Sequence, residues 1–505
     1  MHVEIINGYP FIELFEPMLM DLITEKSEVI KSEMSLNCST LFAHETKLEI
    51  CKIVVPRIYK RFFAYRLCSP LLNNDGMYSS FISSFKNEFS NEFERSGLLD
   101  LAIKKIEYLF SEYISIAEGI EKDKALLLSQ FGFGSFDEIK VDNISLPLSE
   151  PHISGCVRVV TFVNNKEIIF KPRCSFSELH WHNIVKFLKN NGRSRLKSAY
   201  CLCTNGDSGW MEYIINNPLE KESGCSEFYQ NMGELLFWLW LIGARDVVRS
   251  NVIACGSFPI LVDCETIFYP KLTDIPYTLG STGALPEPQI MLGGGFCNTS
   301  AICLSGQNKT TILQCDFNDP DEFVIEYKEC NPKFSANIPI LSGNGVYADD
   351  FLEDIKLGFV SAAEFALSNK DFIYDSEIFS KINLKTRIAF RPTIVYGDAI
   401  LSAIEDSSQV TLESLRRRLD NIPINYCRSE LKKKVILDFE LDLLSKLIVP
   451  AFYLDEDGQG SQHIGENYFD MFISGKRLAS RRLNDLNRDM VRDMAGEIAA
   501  SFVQG

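Results

Sequence analysis

Arg245–Asp246 followed by Asn251 gives R-D-x-x-x-x-N, and Asp263–Cys264–Glu265 stands a hairpin's length downstream. That spacing suits a phosphotransferase. Such an enzyme needs one carboxylate beside the acceptor hydroxyl, and hard oxygen ligands holding magnesium on the β- and γ-phosphates of ATP. On this reading Asp246 positions the attacking hydroxyl, while Asn251, Asp263 and Glu265 bind metal. Lys171, in Ile169–Phe170–Lys171–Pro172–Arg173, is the phosphate-pairing cation, and Glu178 could orient it. Glu212, in Trp210–Met211–Glu212, lies where a hinge strand would border the adenine. Each piece also has an ordinary reading as a turn, a solvated strand end, a surface charge or a helix-dipole charge. Spacing alone leaves both readings standing; the shared order along the chain is what speaks for chemistry.

The elements that must position these residues follow from periodicity. Val157–Val163 alternates as a strand, Asn164–Asn165 is turn chemistry, and Glu167–Lys171 returns. Phe176 to Leu188 reads as a helix, Trp210–Ile214 as a short strand, and Phe228 to Ile242 as a helix apolar on most sides. A second hairpin runs through Asn251–Ala254, a turn at Cys255–Pro259, and Ile260–Val262. Hairpin, lysine, helix, strand, buried helix, polar loop, hairpin and acid is a kinase-like order. Residues 1–135 are expected to be helical, with breakers at Pro70 and at the turn Asn73–Asn74–Asp75–Gly76. Gly132–Phe133–Gly134 lacks phosphate-loop spacing and reads as a turn. Residues 136–350 form the expected core, its 270–350 part rich in Gly and Pro and read as long loops. Residues 351–505 are expected to be mainly helical, interrupted near Arg387–Tyr396 and by the acidic turn Asp455–Gly460.

Composition bounds the alternatives. The 505 residues are 46% hydrophobic and 24% charged, enough for several cores. A net charge of −17 excludes nucleic-acid binding through a globally basic surface. The longest apolar run, Leu235–Ile242, falls far short of the roughly 20 residues of a spanning helix, so no membrane insertion is expected. The N-terminus carries no secretory pattern. Fifteen cysteines are scattered, the closest pair being Cys201 and Cys203, and no zinc spacing or H-E-x-x-H appears. The chain reads as a cytoplasmic protein with reduced thiols.

The segment Gly243–Phe268 resembles the central signature of class II lanthipeptide synthetases, the LanM family. Glu150–Pro151–His152–Ile153–Ser154–Gly155 resembles the family's D-x-H-x-x-G segment, and Ile169–Arg173 its Y-K-P-R strand. Gly209–Ile214 resembles W-x-E-F-I, and Arg387–Tyr396 matches R-x-x-x-R-x-T-x-x-Y. The resemblance covers nearly the whole chain as a dehydratase region. It implies an α+β fold with a bilobal, lipid-kinase-like core, a helical N-terminal region and added helical and elimination elements. It implies phosphorylation of Ser and Thr in a leader-bearing precursor peptide with ATP and Mg²⁺, then expulsion of phosphate to leave dehydroalanine or dehydrobutyrine. Lys171, Asp246, Asn251, Asp263 and Glu265 would serve phosphoryl transfer, with Glu212 and Gly155 beside the nucleotide. Glu150, His152, Arg387 and Thr393 would serve elimination, the guanidinium fork of Arg387 suiting a phosphate.

The sequence departs from the family pattern in three ways. Val248 stands where D-x-H-x-x-N has histidine, and valine neither donates a hydrogen bond nor carries charge. Glu150 stands where aspartate is usual. No cyclase zinc motif follows before Gly505, so a separate cyclase is expected as a partner. The alternatives are a single-activity phosphopeptide lyase or peptide kinase, or a kinase-impaired scaffold that presents the peptide.

Overall fold

A computed structural model of the chain describes residues 3–68, 76–191, 194–203, 206–290, 296–306, 310–330, 335–380, 384–405, 412–427, 429–460, 469 and 471–504. The expected breakers Pro70 and Asn73–Asn74–Asp75 lie outside these residues, as do parts of the 270–350 region.

A short strand, β1 (Val3–Ile6), precedes four long helices: α1 (Ile12–Glu33), α2 (Leu36–Cys68), α3 (Met77–Arg95) and α4 (Leu98–Gln130). Helix α3 shows why they pack. Phe81, Phe85, Phe89 and Phe93 recur every four residues, so they form one stripe, and all four are buried.

Beyond this layer come strands β2 (Val141–Ile144), β3 (Arg158–Phe162) and β4 (Glu167–Lys171), helix α5 (Phe176–Asn190), and strands β5 (Cys201–Leu202) and β6 (Gly209–Glu212). They form an antiparallel five-stranded sheet in the order β2-β3-β4-β6-β5. The β3–β4 turn places Asn165 at φ 63, a left-handed conformation asparagine tolerates. Strand alternation then divides the side chains. Ile168, Phe170 and Trp210 join the core of the helical layer, while Ile169 and Met211 face the opposite way. Phe170 and Trp210 pack on each other at 4.8 Å, and this face is pinned to α4, where both rings lie against Gly119 and Trp210 Nε1 donates to Asp123 at 2.9 Å. At the start of β3, the fully buried Arg158 pairs with Glu45 of α2 and Glu112 of α4, each at 2.7 Å. Two carboxylates around one guanidinium offset the cost of burying its charge.

Helix α6 (Ser223–Ile242) is apolar on all sides in its last two turns, where every residue from Leu235 to Ile242 is buried. It stops at Gly243, whose φ of 76 lets Gly243 and Ala244 donate back to Trp240 and Leu239. The hairpin β7 (Val252–Cys255) and β8 (Phe258–Leu261) follows as expected.

The 270–350 region departs from the loop expectation. It contains β9 (Pro288–Ile290), β10 (Phe296–Asn298), β11 (Thr310–Asp316), β12 (Ile325–Cys330), β13 (Ile340–Leu341) and β14 (Asn344–Gly345). Strand β11 pairs in parallel with β1, Val3 opposite Leu313, and antiparallel with β12. Phe317 and Phe323, beside and between these strands, pack on Tyr78, Phe11 and Phe62 of the helical layer. The pairing partner lies near the start of the chain, where local periodicity gives no sign of it.

Helix α7 (Leu352–Ser368) crosses α6 at backbone contact through Gly233 and Gly358. The remainder is α8 (Lys370–Tyr374), β15 (Thr386–Ile388), α9 (Thr393–Glu405), α10 (Leu412–Leu419), α11 (Glu430–Leu444), β16 (Phe452–Leu454), α12 (Gly475–Asp485) and α13 (Arg488–Gln504). Strands β15 and β16 pair with Arg387 opposite Tyr453. The fold is α+β. Among the described residues, no helix is long and apolar enough to cross a membrane.

Candidate active site

A cavity of about 790 Å³ opens between the second face of the β2–β6 sheet, the α6–β7 loop and the Asp263–Glu265 segment. Lys171, Glu212, Asp246, Asn251, Asp263 and Glu265 all line it, joined by Glu150 and Arg387 from distant parts of the chain. Ile169 and Met211 form part of its apolar wall, because alternation along β4 and β6 turns them away from the helical layer.

Lys171 ends β4, buried, with its ammonium 2.8 Å from Glu178 Oε1 and 2.7 Å from the Val262 carbonyl. Burial opposes its charge, but Glu178 more than offsets this and holds it above its ordinary value. Glu178 lies in the first turn of α5, so the helix sets the lysine's direction. Arg173 joins three acids. It reaches Glu178 at 2.7 Å, Asp263 at 2.9 Å and Glu265 at 3.3 Å.

Asp246 takes a left-handed backbone at φ 55, and its carbonyl accepts from Asn251 Nδ2 at 2.8 Å. The six-residue loop is thereby closed on itself, which brings both residues to one wall. Enclosure by the cavity walls, then the nearby Asp263 carboxylate, raises the Asp246 carboxyl to about 6. A carboxylate of that basicity suits hydrogen-bonding to an acceptor hydroxyl.

Glu265 differs from the expected metal ligand in its surroundings. Its Oε1 accepts from Arg387 at 2.5 Å; its Oε2 accepts from the Tyr453 hydroxyl at 3.1 Å and faces Arg173. Against burial, Arg387 and then Arg173 hold it well below the usual carboxylate range. Both oxygens are taken up by this network. Among the described residues, no group of three or more His, Cys, Asp and Glu side chains is disposed to hold a metal ion. Asp263 and Asn251 are then the residues whose hard oxygens would hold magnesium, a cation that usually completes its coordination with phosphate and water.

Three expected residues do not line the cavity. His152 turns its Nδ1 to the Val449 carbonyl at 3.1 Å, and burial followed by Arg387 lowers its pKa to about 4. Gly155, at φ 116, packs against Pro172 and Glu112, where it serves a tight turn. Thr393 is the first residue of α9, half-buried and away from the cavity wall. The R-x-x-x-R motif likewise divides. Arg387 faces the cavity, whereas Arg391 is buried against Glu440, with Nε at 3.0 Å from Oε2. Sequence reasoning gave no role to Arg173 or Tyr453. The adjacency Lys171–Pro172–Arg173 is a usable signal for the first; Tyr453 has none, since only β15–β16 pairing brings it to Glu265.

A family described as Domain of unknown function (DUF4135) matches residues 96–455. The chain belongs to this family. The matched span of DUF4135 runs from the end of α3 past β16 and so contains every cavity residue named above. The chain is also 23% identical over 318 residues to the "Lacticin 481/lactococcin biosynthesis protein LcnDR2" of Lactococcus lactis subsp. lactis. That match covers 56% of this chain and 33% of the relative, so the chain spans about a third of its length. Family and relative together bear out the likeness to the LanM family read from Gly243–Phe268.

Proposed function

We propose that this protein acts in lanthipeptide maturation, as a dehydratase with a kinase-like core. It phosphorylates Ser and Thr of a ribosomally made, leader-bearing precursor peptide with ATP, then eliminates the phosphate to give dehydroalanine or dehydrobutyrine. The observation that carries the reading is the Lys171–Glu178 pair facing Asp246, Asn251 and Asp263 across one cavity that also receives Arg387 and Glu150. The sheet wall and the β7–β8 wall would be the two lobes of that core.

Lys171 pairs with the nucleotide phosphates, and Glu178 fixes its position. Asp246 accepts a hydrogen bond from the incoming hydroxyl and aligns it. Asn251 and Asp263 would hold the magnesium ion, which would supply positive charge beside the phosphates. Arg387 donates to the departing phosphate in the second step, and Glu150, at the same cavity, is placed for the α-proton. Roles for His152 and Thr393 in elimination then require the peptide to reach beyond the cavity wall or to reshape it. A separate enzyme would close the thioether rings.

Val248 favours a second reading. It lines the cavity in an extended conformation where the family pattern has histidine, so no imidazole serves the transferring phosphoryl. A protein impaired in phosphorylation would act as a lyase on peptide phosphorylated elsewhere.

Co-expression with the precursor peptide, followed by mass measurement, separates the readings. Loss of one water per modified residue supports the dehydratase. A stable gain of phosphate identifies a kinase alone. An unchanged mass from free peptide, with elimination from phosphopeptide, identifies the lyase.

A further inference from the structure

Arg173 is not one of the residues that line the cavity, yet its side chain ties three acids together beside it. Nη2 donates to Glu178 Oε1 at 2.7 Å and to Asp263 Oδ1 at 2.9 Å. Nε faces Glu265 Oε2 at 3.3 Å, and Nη1 donates to the Cys174 carbonyl at 3.1 Å. Each of the three acids has a further duty. Glu178 Oε1 also accepts from Lys171, Glu265 Oε1 accepts from Arg387, and Asp263 lines the cavity with a third of its side chain exposed. Lys171, Arg173 and Arg387 thus balance Glu178, Asp263 and Glu265 charge for charge. Arg173 is the cation that meets all three acids.

Its contact with Asp263 is directional. Oδ1 accepts from Arg173 and also from the Glu265 N–H at 3.2 Å, so that oxygen is held from two sides. Among the described residues no donor reaches Oδ2, which is the oxygen left for a cation. A carboxylate held through one oxygen presents the other in a set direction, and partners of this kind orient metal ligands. A guanidinium can do so while also holding Glu178 and Glu265, because its N–H groups diverge in one rigid plane. An ammonium is a compact point charge and cannot span the three.

We propose that Arg173 is a positioning residue for phosphoryl transfer: it fixes Asp263 so that Oδ2 is offered to the magnesium ion, and it couples that ligand to the Lys171–Glu178 pair. The inference rests on the dehydratase reading, in which Asp263 and Asn251 would hold the metal. Arg173 acts only through its acidic neighbours.

The test measures binding, not turnover. Calorimetric titration of the full chain with the magnesium complex of AMP-PNP, a non-hydrolysable ATP analogue, gives the affinity directly. Arg173→Lys keeps the charge and is expected to weaken binding by about tenfold, the lower end of what removing such a partner costs. In an Asp263→Ala background the same substitution should change affinity by less than about twofold, since a residue that acts through Asp263 has nothing left to position. If circular dichroism shows Arg173→Lys unfolded, Arg173→Gln combined with Glu265→Gln removes one charge of each sign and carries the same comparison. Affinity equal to or tighter than wild type in the Arg173 variant overturns the inference and leaves the dehydratase reading standing. Equal weakening with and without Asp263 overturns it too, because it marks general disruption. A wild-type chain that does not bind the complex overturns the dehydratase reading and this inference with it.

Discussion

Glu265 holds Arg387 twice. Its side-chain Oε1 accepts from the guanidinium at 2.5 Å, and its backbone carbonyl accepts from the Arg387 N–H at 2.7 Å. The double tie fixes both the strand and the side chain. A residue from the C-terminal region thus becomes part of the wall built by Asp263 and Glu265.

Glu265→Gln keeps the shape of this junction and removes its charge. Arg387 and Arg173 would then share too little negative charge in a buried setting, and breaking such a network from one side costs roughly 3–5 kcal/mol. Urea denaturation should show a lower midpoint with an unchanged slope. Wild-type stability in the variant would mean the network carries no net energy.

Asp263→Ala and Arg387→Ala should separate the two steps. The first removes a magnesium ligand and is expected to abolish ATP-dependent modification of the peptide. The second keeps Lys171, Asp246, Asn251 and Asp263 and is expected to accumulate phosphopeptide. Mass spectrometry of the co-expressed peptide reads both. Clean dehydration by the Arg387 variant would remove that arginine from elimination.

Val248→His restores a donor to a position that already lines the cavity. Phosphorylation should accelerate by about tenfold, less than the hundredfold or more an evolved donor can contribute. Single-turnover measurements of phosphopeptide formation check this. An unchanged rate would show that another group fills the role.

His180 is fully buried, donates through Nε2 to the Ile378 carbonyl at 3.1 Å, and has no hydrogen-bond partner at Nδ1. Burial, then Lys476, lowers its pKa to about 4. The unfolded chain therefore binds the proton more tightly. Stability should be complete above about pH 6.5 and decline as pH falls toward 4, by on the order of 3 kcal/mol from this group. Thermal melts of wild type and His180→Phe across that window should show a shallower decline in the variant.

Gly358→Ala tests the α6–α7 crossing. Its Cβ would lie 1.8 Å from the Gln230 carbonyl oxygen, so one helix must move. Since α6 leads directly into the Asp246 loop, the cost should be about 3 kcal/mol or more. A melting temperature equal to wild type would mean that the helices separate freely.

Much of this protein is local in origin and readable as such. The hairpin ending at Lys171 announces itself by alternation and an Asn-Asn turn, and α6 by a run of apolar residues ended by glycine. The order of Lys171, Asp246, Asn251 and Asp263 is legible for the same reason: each sits at the end of an element whose pattern is complete within a few residues. The β1–β11–β12 sheet is not legible. Strand β1 finds its partner β11 across most of the chain, Val3 opposite Leu313, and Gly and Pro around β11 and β12 read as loop.

The sequence by itself determined which side chains with phosphotransfer chemistry stand at the ends of which strands, because strand and helix periods are set by neighbouring residues. Tertiary structure alone decided which of them share a cavity. It set Arg387 against Glu265 and Arg391 against Glu440, although the two arginines belong to one motif, and it brought in Tyr453 through strand pairing. Where a charged group ends up depends on which opposite charge is buried beside it, and those partners come from distant segments.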